Sequence, residues 1–115
     1  MDLIFFGIQG SGKGTVGKKV ADFFGLKIFE TGAELRSLAS ENSELGEKVK
    51  SIIEAGNLVP NEIVMEIVEN FMKNLKKGEN ILFDGIPRKV KQAISLNNLL
   101  KKHRRTYKAV LLEIK

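Results

Sequence analysis

Short apolar runs alternate with longer segments of helical spacing along this chain. The runs are bounded by glycine or polar residues and have the length and composition of short buried strands. They occupy residues 3–6, 26–29, 80–84 and 107–114. The segments between them predict helices over residues 13–24, 31–41, 44–55, 61–77 and 89–102. This alternation of strands and helices favours an α/β fold with a parallel sheet whose two faces are both covered.

The first strand leads into a glycine-rich loop. Residues 7–15 read Gly-Ile-Gln-Gly-Ser-Gly-Lys-Gly-Thr, and a helix follows. Strand, glycine-rich loop and helix are the context that a phosphate-binding loop needs, because glycines let successive N–H groups turn inward around an anion. The helix N-terminus and Lys13 add positive charge. A plain strand-to-helix turn requires neither four glycines nor a lysine, so the loop predicts a nucleoside phosphate site.

Polar residues and glycines mark where the middle helices begin and end. Thr31 and Glu34 predict a capping box, and Ser43 predicts the cap of the next helix. Gly56 predicts the end of that helix, and Pro60 the start of the long helix, where a missing N–H costs nothing.

The helices between the second and third strands interrupt the simple alternation. We expect them to form a lobe of residues 30–59, inserted into a core made of residues 1–29 and 60–115. Gly32, Gly46 and Gly56 would give the lobe flexibility at its ends. Spacing alone favours a static helical crossover equally.

The third apolar run ends in the pentapeptide Asp-Gly-Ile-Pro-Arg at residues 84–88. Ligands of open α/β sheets bind at the carboxyl edge of the strands, where this segment falls. Asp84 can hold Mg²⁺ directly or through water. Arg88 can present a planar guanidinium to a phosphate. Without the glycine-rich loop, a turn cap and a surface arginine would explain these residues; with it, a site is the better interpretation.

Composition changes this picture little. A length of 115 residues suits one domain, and the net charge of +5 suits an anionic ligand or nucleic acid. The chain has no cysteine, which excludes disulfides and thiolate chemistry. The apolar N-terminal run is too short for a signal peptide or a membrane span, so we expect a cytoplasmic location. The basic residues 101–105 are interpreted as a solvated helix end with an exposed His103, rather than a phosphate-contacting patch.

These motifs together resemble the adenylate kinases and their nucleoside monophosphate kinase relatives. In that family the loop lysine is followed by Gly-Thr, as it is here, whereas a usual Walker A motif has Ser or Thr directly after lysine. Asp-Gly-Ile-Pro-Arg is similar to the family's Asp-Gly-aromatic-Pro-Arg, and residues 31–36 are similar to Thr-Gly-Asp-Met-Leu-Arg. Residues 43–46 and 56–60 also match in order and separation. The resemblance covers nearly the whole chain.

The resemblance implies an ATP:AMP phosphotransferase that uses Mg²⁺ and has a three-layer P-loop fold with four of the usual five strands. Lys13 and Arg88 would be catalytic, and Asp84 would hold the metal through water. The ATP phosphates would be bound by Gly10, Ser11, Gly12, Lys13, Gly14 and Thr15. AMP would be bound by Thr31, Arg36, Asn57, Leu58, Val59, Gly85, Ile86, Pro87, Arg88 and Gln92.

Thr31 bears on the acceptor, because relatives that phosphorylate UMP and CMP carry Ala-Gly where this chain has Thr31-Gly32. AMP is therefore the expected acceptor, and UMP or CMP the alternative. ATP and AMP are the expected partners, with no nucleic acid and no membrane, and we expect a monomer if the chain is complete. The family also has a lid, a fifth strand and further helices. We expect this chain to be a fragment, or alternatively a short form that recruits a lid; a non-catalytic nucleotide-binding module and a P-loop regulator are the other hypotheses.

Overall fold

Four strands and five helices follow one another in the predicted order in the computed structural model, which describes residues 1–7 and 13–112 and the side chains of residues 1–7 and 14–111. The strands are β1 (Asp2–Gly7), β2 (Lys27–Glu30), β3 (Ile81–Asp84) and β4 (Tyr107–Leu112). The helices are α1 (Lys13–Phe24), α2 (Thr31–Ala39), α3 (Glu44–Glu54), α4 (Asn61–Lys73) and α5 (Val90–Lys102). The long fourth helix is shorter than predicted. The predicted end of the last strand lies outside the described residues.

The described strands form one parallel sheet in the order β2-β3-β1-β4. Ile4 in β1 lies opposite Phe83 in β3 and Ala109 in β4, and Asp84 closes β3 beside Phe5. The connection after β1 leads to one edge of the sheet, whereas the connection after β3 leads to the other. The crevice between the carboxyl ends of β1 and β3 is therefore a topological switch point, where such sheets bind ligands. The α/β P-loop fold is confirmed.

The larger core lies where α4 and α5 pack on the sheet. Apolar residues at helical spacing on α4 and α5 meet Phe29 and Phe83 from the strands, and both phenylalanines are fully buried. Phe29 also contacts Phe71 edge to face, with ring centroids 5.2 Å apart. The buried residues of the two helices are Ile63, Val64, Ile67, Val68, Met72, Leu96 and Leu100.

Helix α1 packs on the sheet through small residues rather than through its bulky ones. Gly17 is buried, a Cβ built on it would lie 3.6 Å from the ring of Phe5, and Ala21 is also buried. This close approach leaves Phe23 83% exposed and Phe24 66% exposed. Helical spacing places these phenylalanines on the apolar side of α1, but the sheet covers only part of that side.

The expectation of a solvated basic helix end was wrong for Arg105. Its Nε and a terminal nitrogen donate to both carboxylate oxygens of Asp2 at 2.7 and 2.9 Å. Asp2 is only 1% exposed and also accepts the backbone N–H of Ile81 at 2.8 Å. Arg105 further donates to the carbonyl of Glu79 at 2.9 Å. Arg105 is thus part of a buried network at the amino ends of the strands.

His103 was also expected to be exposed and alone, and this was wrong. Its Nε2 lies 2.7 Å from a carboxylate oxygen of Glu69 on α4, and the Lys102 ammonium donates to the same oxygen at 3.1 Å. These hydrogen bonds, first from His103 and then from Lys102, lower the pKa of Glu69 to about 2. The end of α5 is therefore joined to α4, while Lys101 and Arg104 are exposed as predicted.

We expect Arg105→Ala to lower the free energy of unfolding by about 3–5 kcal/mol, because it leaves the buried Asp2 carboxylate without its cation. Urea titration monitored by circular dichroism measures the change. Lys101→Ala removes a nearby exposed charge and should alter stability by less than about 0.5 kcal/mol. Similar losses from both variants would contradict a structural role for the Asp2–Arg105 pair.

We also expect the double variant Phe23→Lys, Phe24→Lys to raise the monomeric fraction of this chain, because exposed apolar patches promote association. Its unfolding free energy should stay within about 0.5 kcal/mol of the parent, since both side chains are exposed. Light scattering after gel filtration measures the monomer. Ser51→Lys with Asn98→Lys adds the same charge at exposed polar positions, and an equal gain from that control would assign the effect to charge alone.

Candidate functional site

A cavity of about 510 Å³ opens at the carboxyl edge of the sheet. Its walls come from α2, the segment before α4, the turn after β3 and the start of α5. The cavity brings together six of the residues predicted to bind the acceptor nucleotide: Thr31, Leu58, Val59, Gly85, Arg88 and Gln92.

The turn after β3 is organised around one carbonyl group. Gly85 has a positive φ of 82°, which favours glycine, and its carbonyl accepts from Arg88 Nε at 3.0 Å and from the Thr31 hydroxyl at 3.4 Å. The Arg88 backbone N–H donates to Oε1 of Gln92 at 2.8 Å. Because Nε is engaged, the terminal nitrogens of Arg88 are the groups that can pair with an anion. The amide nitrogen of Gln92 can likewise donate to a ligand.

The predicted capping box at Thr31 and Glu34 was wrong. Glu30 is the N-cap of α2, and its two carboxylate oxygens accept the N–H groups of Gly32 at 3.0 Å and Ala33 at 2.9 Å. Thr31 is the first helical residue, so its hydroxyl is available to bond Gly85. The predicted Ser43 cap of α3 is confirmed, since its hydroxyl accepts the N–H of Gly46 at 3.0 Å.

Four predicted acceptor residues do not line the cavity. The Arg36 guanidinium is exposed and lies 3.6 Å from Glu30, and Asn57 is exposed in the turn after α3. Ile86 is buried in the core, and Pro87 is half-buried beside it. Their roles in nucleotide binding stay predictions.

The end of β1 at Gly7 and the start of α1 at Lys13, which flank the glycine-rich loop in the sequence, lie at the same edge of the sheet. Gly10, Ser11 and Gly12 are outside the described residues, as is the Lys13 side chain, while the Lys13 backbone begins α1. Gly14 and Thr15 occupy the first turn of that helix and are exposed. The first N–H groups of a helix have no partner within it, which suits an anion.

Asp84 is the candidate ligand for Mg²⁺. It is half-buried at the end of β3, in register with Phe5 of β1 and Glu30 of β2. Within residues 1–7 and 13–112, no cluster of three or more acidic, histidine or cysteine side chains could hold a metal by itself. Mg²⁺ beside nucleotide phosphates commonly keeps several waters and takes one or two carboxylates, so a single aspartate fits it.

Several cavity residues were missed by the sequence analysis. Helical spacing alone does not indicate which neighbours of a motif point toward a cavity. The Glu30 cap was also missed, because its only signal in the sequence is an acidic residue just before a helix. The missed lining residues are Gly32, Leu35, Pro60, Asn61, Val64, Lys89 and Lys91.

A larger cavity of about 670 Å³ lies on the other side of α2. It contains none of the predicted site residues. Glu34 lines it, and burial, together with the negative charges of Glu30 and Glu41, raises the pKa of that carboxyl. Between these two cavities, all the predicted site residues that line one belong to the smaller cavity at the sheet edge.

The parallel sheet, with a helix N-terminus and a cavity at its carboxyl edge, defines an α/β protein, and the glycine-rich sequence between β1 and α1 assigns it to the P-loop class. The family model for adenylate kinase matches residues 5–115, and the chain belongs to this family. It is 41% identical over 112 residues to an adenylate kinase from Kosmotoga olearia, covering 97% of this chain and 52% of that protein.

Two further relatives give the same result. The chain is 42% identical to an adenylate kinase from Synechococcus sp. strain CC9902, covering 96% of this chain and 60% of that protein. It is 40% identical to adenylate kinase 2 from Schistosoma mansoni, covering 88% of this chain and 42% of that protein. The chain thus spans about half the length of these relatives. Among its described residues, no helix is long and apolar enough to cross a membrane.

We expect Glu30→Gln to lower the unfolding free energy by about 0.5–2 kcal/mol, because glutamine has only one acceptor oxygen for the two N–H groups of the cap. Glu34→Gln is the matched control in the same turn. The raised pKa of Glu34 means that its ionised form is disfavoured in the folded state, so this change should be neutral or stabilising at pH 7. Chemical unfolding of both variants at pH 7 measures the difference, and equal losses would contradict the cap.

Proposed function

We propose that this chain binds AMP in the 510 Å³ cavity and the phosphates of ATP on the glycine-rich loop, and that it transfers the γ-phosphoryl group of ATP to AMP to give two ADP. One observation carries the proposal. The cavity places Arg88 and Gln92 at the same sheet edge as the start of α1, in a chain of the adenylate kinase family.

The AMP phosphate would be held by arginines. Arg88 is oriented by its Nε bond to Gly85, so that its terminal nitrogens can form a bidentate pair with phosphate oxygens. Arg36 would join it by exchanging the exposed 3.6 Å contact with Glu30 for a phosphate. Exposed ion pairs of this kind contribute little, so the exchange costs little.

The rest of AMP would be bound by polar groups on the cavity walls. Thr31, the backbone of Asn57, Leu58 and Val59, and the Gln92 amide are the proposed contacts to the base and sugar. Gly85, Ile86 and Pro87 would contribute backbone next to the phosphate. Because Gln92 uses Oε1 on Arg88, it offers donors to a base. Thr31-Gly32 in place of Ala-Gly supports AMP over UMP or CMP, because a site whose hydrogen-bonding groups fit one base rejects another that leaves them unpaired.

The ATP phosphates would be bound by the backbone of Gly10, Ser11, Gly12 and Gly14 and by the hydroxyl of Thr15, with Lys13 at the transferring group. Asp84 would hold Mg²⁺ through water, and the bound ion would neutralise charge on the phosphates. A phosphate oxygen of AMP attacks the γ-phosphorus, and the bond to the ADP leaving oxygen breaks. Lys13 and Arg88 are the proposed catalytic residues because the reaction needs charge stabilisation and positioning more than acid–base chemistry.

The helical segment 30–59 is proposed as an AMP-binding lobe on a core of residues 1–29 and 60–115. Helix α2 contains no buried residue and begins directly after β2, which supports a lobe that adjusts to its ligand. A nucleotide-binding chain without transfer is the alternative that an activity measurement must exclude. A coupled assay for ADP formed from ATP and AMP separates the two, when combined with calorimetric titration of AMP alone.

We expect Arg88→Ala to weaken AMP binding strongly while changing ATP binding little. Truncating one partner of a desolvated charge pair costs ~2–5 kcal/mol, and less in an open site such as this one. Lys13→Ala should have the opposite pattern, with ATP weakened and AMP retained. Isothermal titration calorimetry at moderate salt measures the affinity of each variant for both nucleotides, and each variant is the control for the other. Equal losses of AMP and ATP in either variant would argue against separate acceptor and donor sites.

A further inference from the structure

Asn61 joins two walls of the candidate AMP cavity. It is the first residue of α4 and lines the cavity, and its Nδ2 donates to the Ser95 hydroxyl of α5 at 2.9 Å. Asn61 follows Val59 by two residues, and Ser95 follows Gln92 by about one helical turn. The hydrogen bond therefore ties the segment before α4 to the helix that carries Gln92.

The Asn61 side chain is an unfavourable choice for stability alone. Its Oδ1 is buried and has no hydrogen-bond partner among the described residues. Rotating the amide by 180° would only exchange the unpaired oxygen for an unpaired nitrogen. An unpaired buried polar group costs ~1–3 kcal/mol, which an apolar side chain of similar shape would avoid. Such a group at the edge of a cavity calls for an explanation other than packing.

The Arg88 guanidinium at the phosphate end of the cavity has supports of its own, although the Arg88 backbone N–H also donates to Gln92. There the Gly85 carbonyl accepts from the Arg88 guanidinium and from the Thr31 hydroxyl, and neither bond involves Asn61. The walls that Asn61 and Ser95 connect carry Val59 and Gln92, which are proposed to contact the base and sugar. A change in the Asn61–Ser95 bond should therefore alter the base end of the cavity more than its phosphate end.

We infer that Asn61 is a positioning residue that fixes the spacing between Val59 and Gln92, and thereby the fit of the acceptor base; the inference rests on the proposed AMP site. The Asn61 amide acts through those two residues and need not touch the nucleotide. The unpaired Oδ1 of Asn61 lowers the stability of the fold, whereas the Asn61–Ser95 hydrogen bond keeps the base end of the cavity at one width.

The test compares AMP with ribose 5-phosphate, which has the sugar and phosphate but no base. Asn61→Leu should weaken AMP about tenfold, the scale of one lost hydrogen bond, and leave ribose 5-phosphate within about twofold. The midpoint of urea unfolding should stay equal or rise. Asn61→Asp keeps an acceptor for the Ser95 hydroxyl and should bring AMP affinity back to within about threefold of the parent. Asn98→Leu makes the same chemical change at an exposed position of α5 and should change neither ligand.

The outcomes separate the inference from the proposed function. If the parent chain binds AMP and Asn61→Leu binds it equally well, the positioning role is overturned and the AMP site stands. Parallel losses of stability, AMP and ribose 5-phosphate in Asn61→Leu would show a merely structural residue and also overturn it. A parent chain that binds neither ligand overturns the proposed function, and the inference with it. Selective loss of AMP without loss of stability supports the inference.

Discussion

The buried carboxylate of Asp2 is the interaction on which the register of the sheet depends. Its backbone N–H donates to the Thr106 carbonyl just before β4, and its side chain accepts the N–H of Ile81 and the guanidinium of Arg105. A single residue thus connects the amino ends of β1, β3 and β4. Burying a charge is costly unless it is paired and hydrogen-bonded, and here both oxygens are used. A one-residue shift of β3 would take the Ile81 N–H away from that carboxylate, and a shift of β4 would displace the Arg105 guanidinium from it.

The fixed register determines what meets at the opposite edge of the sheet. With Ile4 opposite Phe83, β3 ends at Asp84 beside Phe5, two residues before β1 ends at Gly7 and the glycine-rich sequence begins. The same register brings Glu30 next to Asp84 and starts α2 directly over the turn that contains Gly85. The site is therefore a consequence of strand alignment, and the alignment is set at the far end of the sheet.

The sequence predicted elements well where the signal is local. Apolar runs and helical spacing gave all nine described elements, and the Ser43 cap followed from one polar residue before a helical pattern. Prediction from the sequence failed where a contact joins residues that are far apart in the chain. Nothing near Arg105 in the chain indicates that Asp2, 103 positions away, removes it from solvent. The same holds for His103 and Glu69 on two different helices.

The error at the start of α2 has a different cause. Thr31 and Glu34 have the spacing of a capping box, which would use the N–H groups of Glu34 and Thr31. Instead Glu30, one residue earlier, accepts the N–H groups of Gly32 and Ala33 with its two carboxylate oxygens. Glu30, which has the longer side chain, is therefore the N-cap, and the Thr31 hydroxyl donates to the Gly85 carbonyl instead. Local sequence rules identify residues that can cap a helix. They do not show that when Glu30 caps α2, the Thr31 hydroxyl is left to make a contact elsewhere.

The buried charge network and the proposed binding site lie at opposite ends of this sheet. The amino end is held by a buried charge network, whereas the carboxyl end is held by a few bonds to one carbonyl, with α2 containing no buried residue. A site that must admit a nucleotide and then enclose it needs local freedom, and local freedom is tolerated only where the remaining contacts keep the fold intact. The Asp2–Arg105 pair stabilises the strand register at the amino end, and this register aligns the groups at the carboxyl ends even though few side-chain contacts hold that edge.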